Sequence, residues 1–197
     1  METRRADATR EKIIKAARTL FVKNGFAGTS MGKIASTANV PHSLVFHHFK
    51  NKQNLWMEVK MSIVRIFKQG QESSSILPTY NQSLTNFLQQ LISRSIDFYQ
   101  NNPDIVRMIN WQRLEHEQEQ GIGIKISQES EAWIVAFKRY QDKGEIKSEL
   151  KPEFIMTLIL SIVSSAAMDS NVFIKKEEDN KAYINFCVQS LLKALCP

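Results

Sequence analysis

An all-α chain is the fold class this sequence predicts, and three observations carry that expectation. Only 7 glycines and 5 prolines occur among 197 residues, far fewer breaks than a turn-rich strand sandwich needs. Between the breaks, apolar residues recur at three- and four-residue spacing, the period of a helix buried along one side. The breakers themselves stand at the edges of these periodic stretches, with Pro41, Pro103 and Pro152 where helices begin and Gly25 and Gly144 where they stop. The length suits one small and one larger domain, expected over residues 1–52 and 53–197.

The first helix is predicted from about Asp7, a capping residue, to Asn24, with Ile13, Ile14, Ala17, Leu20 and Phe21 on one face and Gly25 as its stop. Thr29 or Ser30 caps a short second helix that turns Met31, Ile34, Ala35 and Ala38 inward. Asn39 ends it, since asparagine tolerates the left-handed turn. Pro41 opens a third helix to about His48, in which Leu44 or Val45 is expected to pack inward with Phe46 and Phe49. Asn51 caps a long fourth helix with Leu55, Val59, Ile63, Ile66 and Phe67 on one side, ending near Gly70. A polar connection follows over residues 71–78. Five further helices are expected at about 81–100, 103–119, 124–143, 152–173 and 179–195, with Gly121 and Gly123 as additional stops.

Charge narrows the function. Residues 1–52 hold ten basic side chains against three acidic ones, a net +7, so the remainder of a chain of net +6 carries −1. A basic quarter on a neutral body suits a polyanion, because lysine and arginine displace counterions from phosphates; a merely soluble surface gives the same count. Cys187 and Cys196 make neither a disulfide framework nor a zinc spacing, which fits a reducing cytoplasm. The charged start METRRADATR has no secretory apolar segment. The longest apolar stretch, 154–168, is interrupted by Thr157, Ser161, Ser164 and Ser165 and reads as a buried helix, not a membrane span. No HExxH, GxSxG or glycine-rich phosphate loop occurs, so neither an enzyme nor a cofactor is expected.

The segment Thr29 to Phe49, TSMGKIASTANVPHSLVFHHF, has the short helix, turn and second helix that place one helix in the major groove of DNA. The wider stretch Thr9 to Leu55 resembles the N-terminal domain of the TetR family of transcriptional regulators, matching at Ile14, Ala17, Phe21, Gly25, Ile34, Ala35, Val40, His48, Phe49, Lys52 and Leu55. The resemblance implies a three-helix helix-turn-helix domain, a C-terminal helical bundle that dimerises and binds a small molecule, and a third helix that reads double-stranded DNA. Thr29 and Ser30, at a helix N-terminus, combine hydroxyl and amide donors for a phosphate, and the same hydroxyls serve as caps. Lys52 matches a family lysine on the DNA backbone, and His48 a family position on a phosphate. His42, Ser43, Leu44 and His47 are expected to face base edges. No carboxylate or cysteine shares a face with the histidines, so no metal site is expected. The chain departs from the family at Phe46, usually tyrosine, at Pro41, usually a serine cap, and at Asn39, commonly glycine.

Beyond the head the readings come from packing. Met108, Trp111, Gln112 and Glu115 share one helical face, and Ile126, Ser130, Trp133, Phe137 and Tyr140 another. With Phe87 and Met156, the set Met108, Trp111, Gln112, Trp133 and Phe137 is the candidate site for an apolar or amphipathic effector; the same residues equally build a helical core. His116, among Glu115, Glu117 and Glu119, reads as solvated. Ile155 and Ile162, with Ile184, Val188, Leu191 and Leu195, are the candidate dimer stripe of the last two helices, or an intrachain core, and Ser164, Ser165, Ala166 and Ala167 would permit close approach. The function expected is an effector-released, homodimeric repressor in which the fourth helix couples pocket to DNA head through Leu55, Val59, Ile63 and Phe67. The alternative is an architectural, nucleoid-associated DNA-binding protein whose cavity is filled by side chains.

Overall fold

The computed structural model describes residues 2–69, 76–115, 128–169 and 176–197. Among these, every regular element is a helix: α1 Glu2–Asn24, α2 Met31–Ala38, α3 His42–Phe49, α4 Lys52–Gln69, α5 Leu84–Asn101, α6 Pro103–Glu115, α7 Gln128–Asp142, α8 Pro152–Asp169 and α9 Glu177–Leu195. The stops expected at Gly70, Gly121 and Gly123, together with His116 and Ile126, lie outside the described residues, as do the side chains of Phe67, Ser130 and Ala167. The other punctuation acts as its chemistry dictates. Gly25 and Gly144 take φ of 73° and 72°, and Asn39 takes 52° at the end of α2. Asn51 caps α4 by accepting the Asn54 amide at 2.8 Å.

The helices form two compact units, α1–α4 with α6, and α5 with α7–α9. In the first, Ile13, Ala17, Ile34, Val45, Leu55, Val59 and Ile63 are buried around an aromatic cluster. The Trp56 ring meets those of Phe21 and Phe26 edge-on at 4.9 and 5.5 Å between centroids. Trp56, fully buried, was not part of the expected stripe on α4, and Ile66, which was, is 60% exposed. The head extends beyond residue 52 because α4 and α6 both pack on α1.

α6 is pinned there by polar contacts as well as apolar ones. Asp104 accepts from Arg18 at 2.7 Å, and the Trp111 indole N–H donates to the Val22 carbonyl at 3.2 Å. The Glu115 carboxylate, only 8% exposed, accepts the amides of Phe26 and Ala27 at 3.0 and 3.1 Å. Gly25 is required for this approach, since a Cβ there would lie 2.3 Å from Glu115 Oε1 and 2.9 Å from the Trp111 ring.

The second unit centres on α5, which packs against both α8 and α9, while α7 packs on α8. Phe87, Phe137 and Tyr140 are completely buried, with the Phe87 ring 6.0 Å from Phe137 and 5.1 Å from Tyr140. Tyr140 donates to the Gln82 carbonyl at 3.0 Å, and burial with the nearby Glu145 carboxylate pushes its phenol up to about 12. Glu145 in turn accepts the Leu84 amide that starts α5, and Lys147 holds the end of α9 through the carbonyls of Leu195 and Ala194. No helix of the described residues is long and apolar enough to cross a membrane.

The stripe expected to meet a second subunit is largely spent within this unit. Ile155, Val188, Leu191 and Leu195 are at most 3% exposed, and Ile162 and Ile184 are half-buried against the same core. The most regular apolar stripe goes to the nearest available apolar surface, which here is α5.

Candidate nucleic-acid interface

The turn between α2 and α3 is short because Asn39 reverses the chain in one left-handed step, after which the Val40 amide closes back on Ala35 O at 3.0 Å. Pro41 then sits at the N-cap of α3 with its φ of −57° already helical, though it offers no side-chain acceptor to the first amides. α3 anchors to the head by Val45 and Phe49, which are buried, with Leu44 and His48 half-buried at its flanks. The outward face consists of His42, Ser43, Phe46 and His47, two adjacent rows four residues apart.

Three of these four were expected on the sequence alone, and Phe46 was not. Its ring is 42% exposed instead of packed behind the helix, because the two inward slots of this turn are taken by Val45 and Phe49. The signal was available in the spacing. Position 46 lies one turn beyond 42 and beside 47, so helical geometry puts it outside whatever its hydropathy. Leu44, expected to face bases, is half-buried.

The two hydroxyls before α2 divide their work. Ser30 is the cap, accepting the Lys33 amide at 3.2 Å, which leaves its own O–H free to donate. Thr29 is 1% exposed and donates to the Gly25 carbonyl at 2.8 Å, so its only hydroxyl proton is turned into the protein and away from any phosphate. Lys52 is half-buried. Its ammonium donates to Phe26 O at 3.0 Å and lies 4.1 Å from the Phe26 ring centroid, bracing the turn after α1 with one of its three N–H groups. His48 is held below the ordinary imidazole value by burial first, and then by the neighbouring His47 ring and the Arg10 guanidinium. Arg10 is occupied by Glu58 at 2.9 Å and lies over the Phe49 ring. Burial alone would raise the Glu58 carboxyl, but hydrogen bonds from Arg65 and Arg10 outweigh it and bring the group below its ordinary value. Lys33 on α2 and Lys50 at the end of α3 are exposed.

The candidate effector residues divide between the two units. Phe87, Trp133 and Phe137 lie in the core of the second, with Met156 half-buried at its edge. Met108, Trp111 and Gln112 fold with the head. Met108 is fully buried there, Trp111 bonds α1, and Gln112 accepts from the Lys60 ammonium at 2.8 Å. The split follows from α6, which comes directly after α5 in the chain yet packs on α1. A separate open groove on α5 is lined by Asn86, Gln89, Gln90, Ser93 and Arg94, all polar.

Comparison with known proteins agrees with this geometry. Residues 13–59 match the model of bacterial regulatory proteins of the tetR family, and residues 88–189, just over half of the chain, match the tetracyclin repressor-like C-terminal domain. The chain is 27% identical over 170 residues to the HTH-type transcriptional repressor NicS of Pseudomonas putida, covering 84% of this chain and 76% of that one. It is 36% identical over 50 residues to the HTH-type transcriptional regulator QacR of Staphylococcus aureus, a match spanning 25% of this chain and 27% of the relative. Among solved structures, a TetR family transcription regulator from Marinobacter aquaeolei superposes with a TM-score of 0.71 at 16% identity, covering 99% of this chain and 98% of the other. A TetR-family regulator from Haemophilus influenzae gives 0.64 at 20% identity, covering 96% and 97%. With both its head and its C-terminal half matched, the chain belongs to the tetR family of bacterial regulatory proteins, DNA-binding transcriptional regulators and not enzymes.

Proposed function

We propose that the protein is a homodimeric repressor that binds operator DNA through α3 and is released by an apolar or amphipathic effector held in the second unit. The observation that carries the DNA reading is the outward face of α3, where His42, Ser43, Phe46 and His47 stand exposed on a net-basic head and Ser30 keeps a free hydroxyl at the start of α2. Ser30, Lys52 and His48 hold the phosphates, and the four α3 residues address the bases. Such a regulator works in the cytoplasm, where the DNA is.

Dimerisation rests on large apolar side chains that stay exposed among the described residues. Phe154 and Leu158 on α8 are 65% and 44% exposed, and Phe186 on α9 is 68% exposed. A second copy of the chain covers them in a two-fold bundle.

For the effector, Phe87, Trp133 and Phe137 offer apolar surface and Met156 a flexible edge. Leu55, Val59 and Ile63 on α4 pack inside the head, so a displacement of α4 would reach α3. Release requires the effector to bind the DNA-free form more tightly, typically by about 1–3 kcal/mol. The test begins with genomic fragments retained by the purified protein. Compounds that change Trp133 fluorescence are then titrated with and without a retained fragment. The effector must bind the DNA-bound protein more weakly, by the factor by which it loosens DNA. Equal affinities would leave a binding protein without a switch.

A further inference from the structure

We propose that the Phe46 ring reads the 5-methyl group of a thymine in the major groove, making Phe46 a specificity-determining residue of this head. The inference rests on the DNA-binding reading above and assigns one base-recognition role within it.

Among the described residues of α1–α3, Phe46 is the only large apolar side chain that is exposed. Full burial of a phenyl side chain supplies roughly 1.5–3 kcal/mol, and the 42% of Phe46 still exposed leaves part of that to a partner that covers the ring. The ring has no polar atom and can make no hydrogen bond to a phosphate. On the major-groove edges of the four base pairs, the thymine methyl is the apolar group, and phenylalanine is among the side chains that contact it. Its surroundings favour nucleic acid over protein as the covering surface. His42, Ser43, His47 and Lys50 flank the ring on the exposed side, all polar and none acidic, which suits a polyanion and leaves no apolar patch for a protein partner to continue.

The ring is also held in place. The His42 imidazole meets it edge-on at 4.9 Å between centroids. That imidazole in turn rests over α2, where a Cβ added at Gly32 would lie 3.9 Å from His42 Nε2. His42 is thus a positioning residue, its imidazole set edge-on against the Phe46 ring on the side facing Gly32 of α2, and it limits where the ring can point.

The experiment uses duplexes selected by the full-length protein from a random-sequence pool. Each thymine of a selected duplex is replaced in turn by uracil, which removes the methyl and keeps every hydrogen-bonding group. At one position per half-site the wild type should lose about fourfold, the equivalent of about 0.8 kcal/mol for one buried methyl-sized group. Substituting both half-sites should cost roughly sixteenfold by the same constant. F46A should bind the thymine duplex as weakly as the wild type binds the uracil duplex, and should not distinguish the two. Its unchanged thermal unfolding would show that the loss is not a folding defect. H42A should keep part of the discrimination, as a positioning role requires. If wild type binds thymine and uracil duplexes equally at every position, Phe46 does not read a methyl and its exposed ring serves some other surface. If no sequence is enriched over scrambled duplex, it is the DNA-binding reading that fails.

Discussion

Two exposed phenylalanines, Phe46 on α3 and Phe186 on α9, stand in contrasting company. Around Phe46 the exposed neighbours one turn away are His42, Ser43 and Lys50, and the helix carries no second exposed apolar side chain. Around Phe186 they are Ala182, Gln189 and Ser190, small or uncharged, and α8 of the same unit exposes Phe154 and Leu158 as well. A lone ring among polar groups, with a lysine one turn away, suits a polyanion that offers an occasional apolar spot. Two rings and a leucine exposed on one unit, with Phe186 among small neutral groups, suit another protein surface, where aromatics concentrate. Exposure alone does not identify the partner; the chemistry of the surrounding turn does.

The largest effect that could break this comparison comes from setting Phe186 against Leu191 on the same helix. L191D places a carboxylate where the wild type is 2% exposed, and it should cost about 4–5 kcal/mol or more and unfold the second unit, read as lost helical circular dichroism. F186D should keep full helicity and sediment as a monomer. If instead L191D stays folded and F186D stays dimeric, the inner and outer faces of α9 have been assigned the wrong way round.

A smaller effect concerns the turn after α1, which α6 braces. E115A strips the acceptor from the Phe26 and Ala27 amides and should lower stability by about 2 kcal/mol, or roughly 4–8 °C in Tm. E115Q keeps one acceptor and should recover part of the loss. DNA affinity should fall with E115A at temperatures where the head begins to open, whereas F46A should lose affinity with no change in Tm.

The smallest effect tests the reverse of Phe46, a cation turned inward. Burial holds the Lys60 ammonium below its ordinary value, with the neutral Gln112 as its partner. In the window between that lowered value and the ordinary one near 10.4, the unfolded chain binds more protons, so wild-type stability rises with pH there. Below the window the full cost of burying the charge is present. K60M should therefore raise Tm at pH 7 by about 2–4 °C, a gain that shrinks in alkaline solution. A fall in Tm at pH 7 would mean that the Gln112 bond more than offsets the burial.

Most helices were legible because their signals are local. Gly25, Asn39, Asn51 and Gly144 act on their own backbone, and the apolar period of α1, α2 and α4 needs no knowledge of the partner helix. What the residues could not disclose is which apolar surface covers which stripe. Leu191 and Phe186 are both apolar and lie on one helix, yet one meets α5 and the other meets water. The same limit split the candidate effector set, since nothing local says that α6 packs on α1. In the DNA head, Phe46 differs for another reason: its apolar ring suggests the core, while its place one turn after His42 puts it outside. Ser30 and Thr29, adjacent hydroxyls, are distinguished only by which of them faces the Gly25 carbonyl.

The bond from Glu115 to the amides of Phe26 and Ala27 joins residues 89 and 88 positions apart, and this sets the order in which the head can be finished as it is made. At roughly 5–20 residues per second, several seconds separate the synthesis of α3 from that of the carboxylate that completes the turn behind it. Until then the Phe26 amide must remain with water, and the space beside Gly25 is unfilled. The α2–α3 turn is closed by short-range contacts and can form early, but the turn between α1 and α2 waits for a closure of high contact order. A fragment ending at α4 would contain every residue of the proposed DNA-reading face and still lack the carboxylate that closes the turn leading into it.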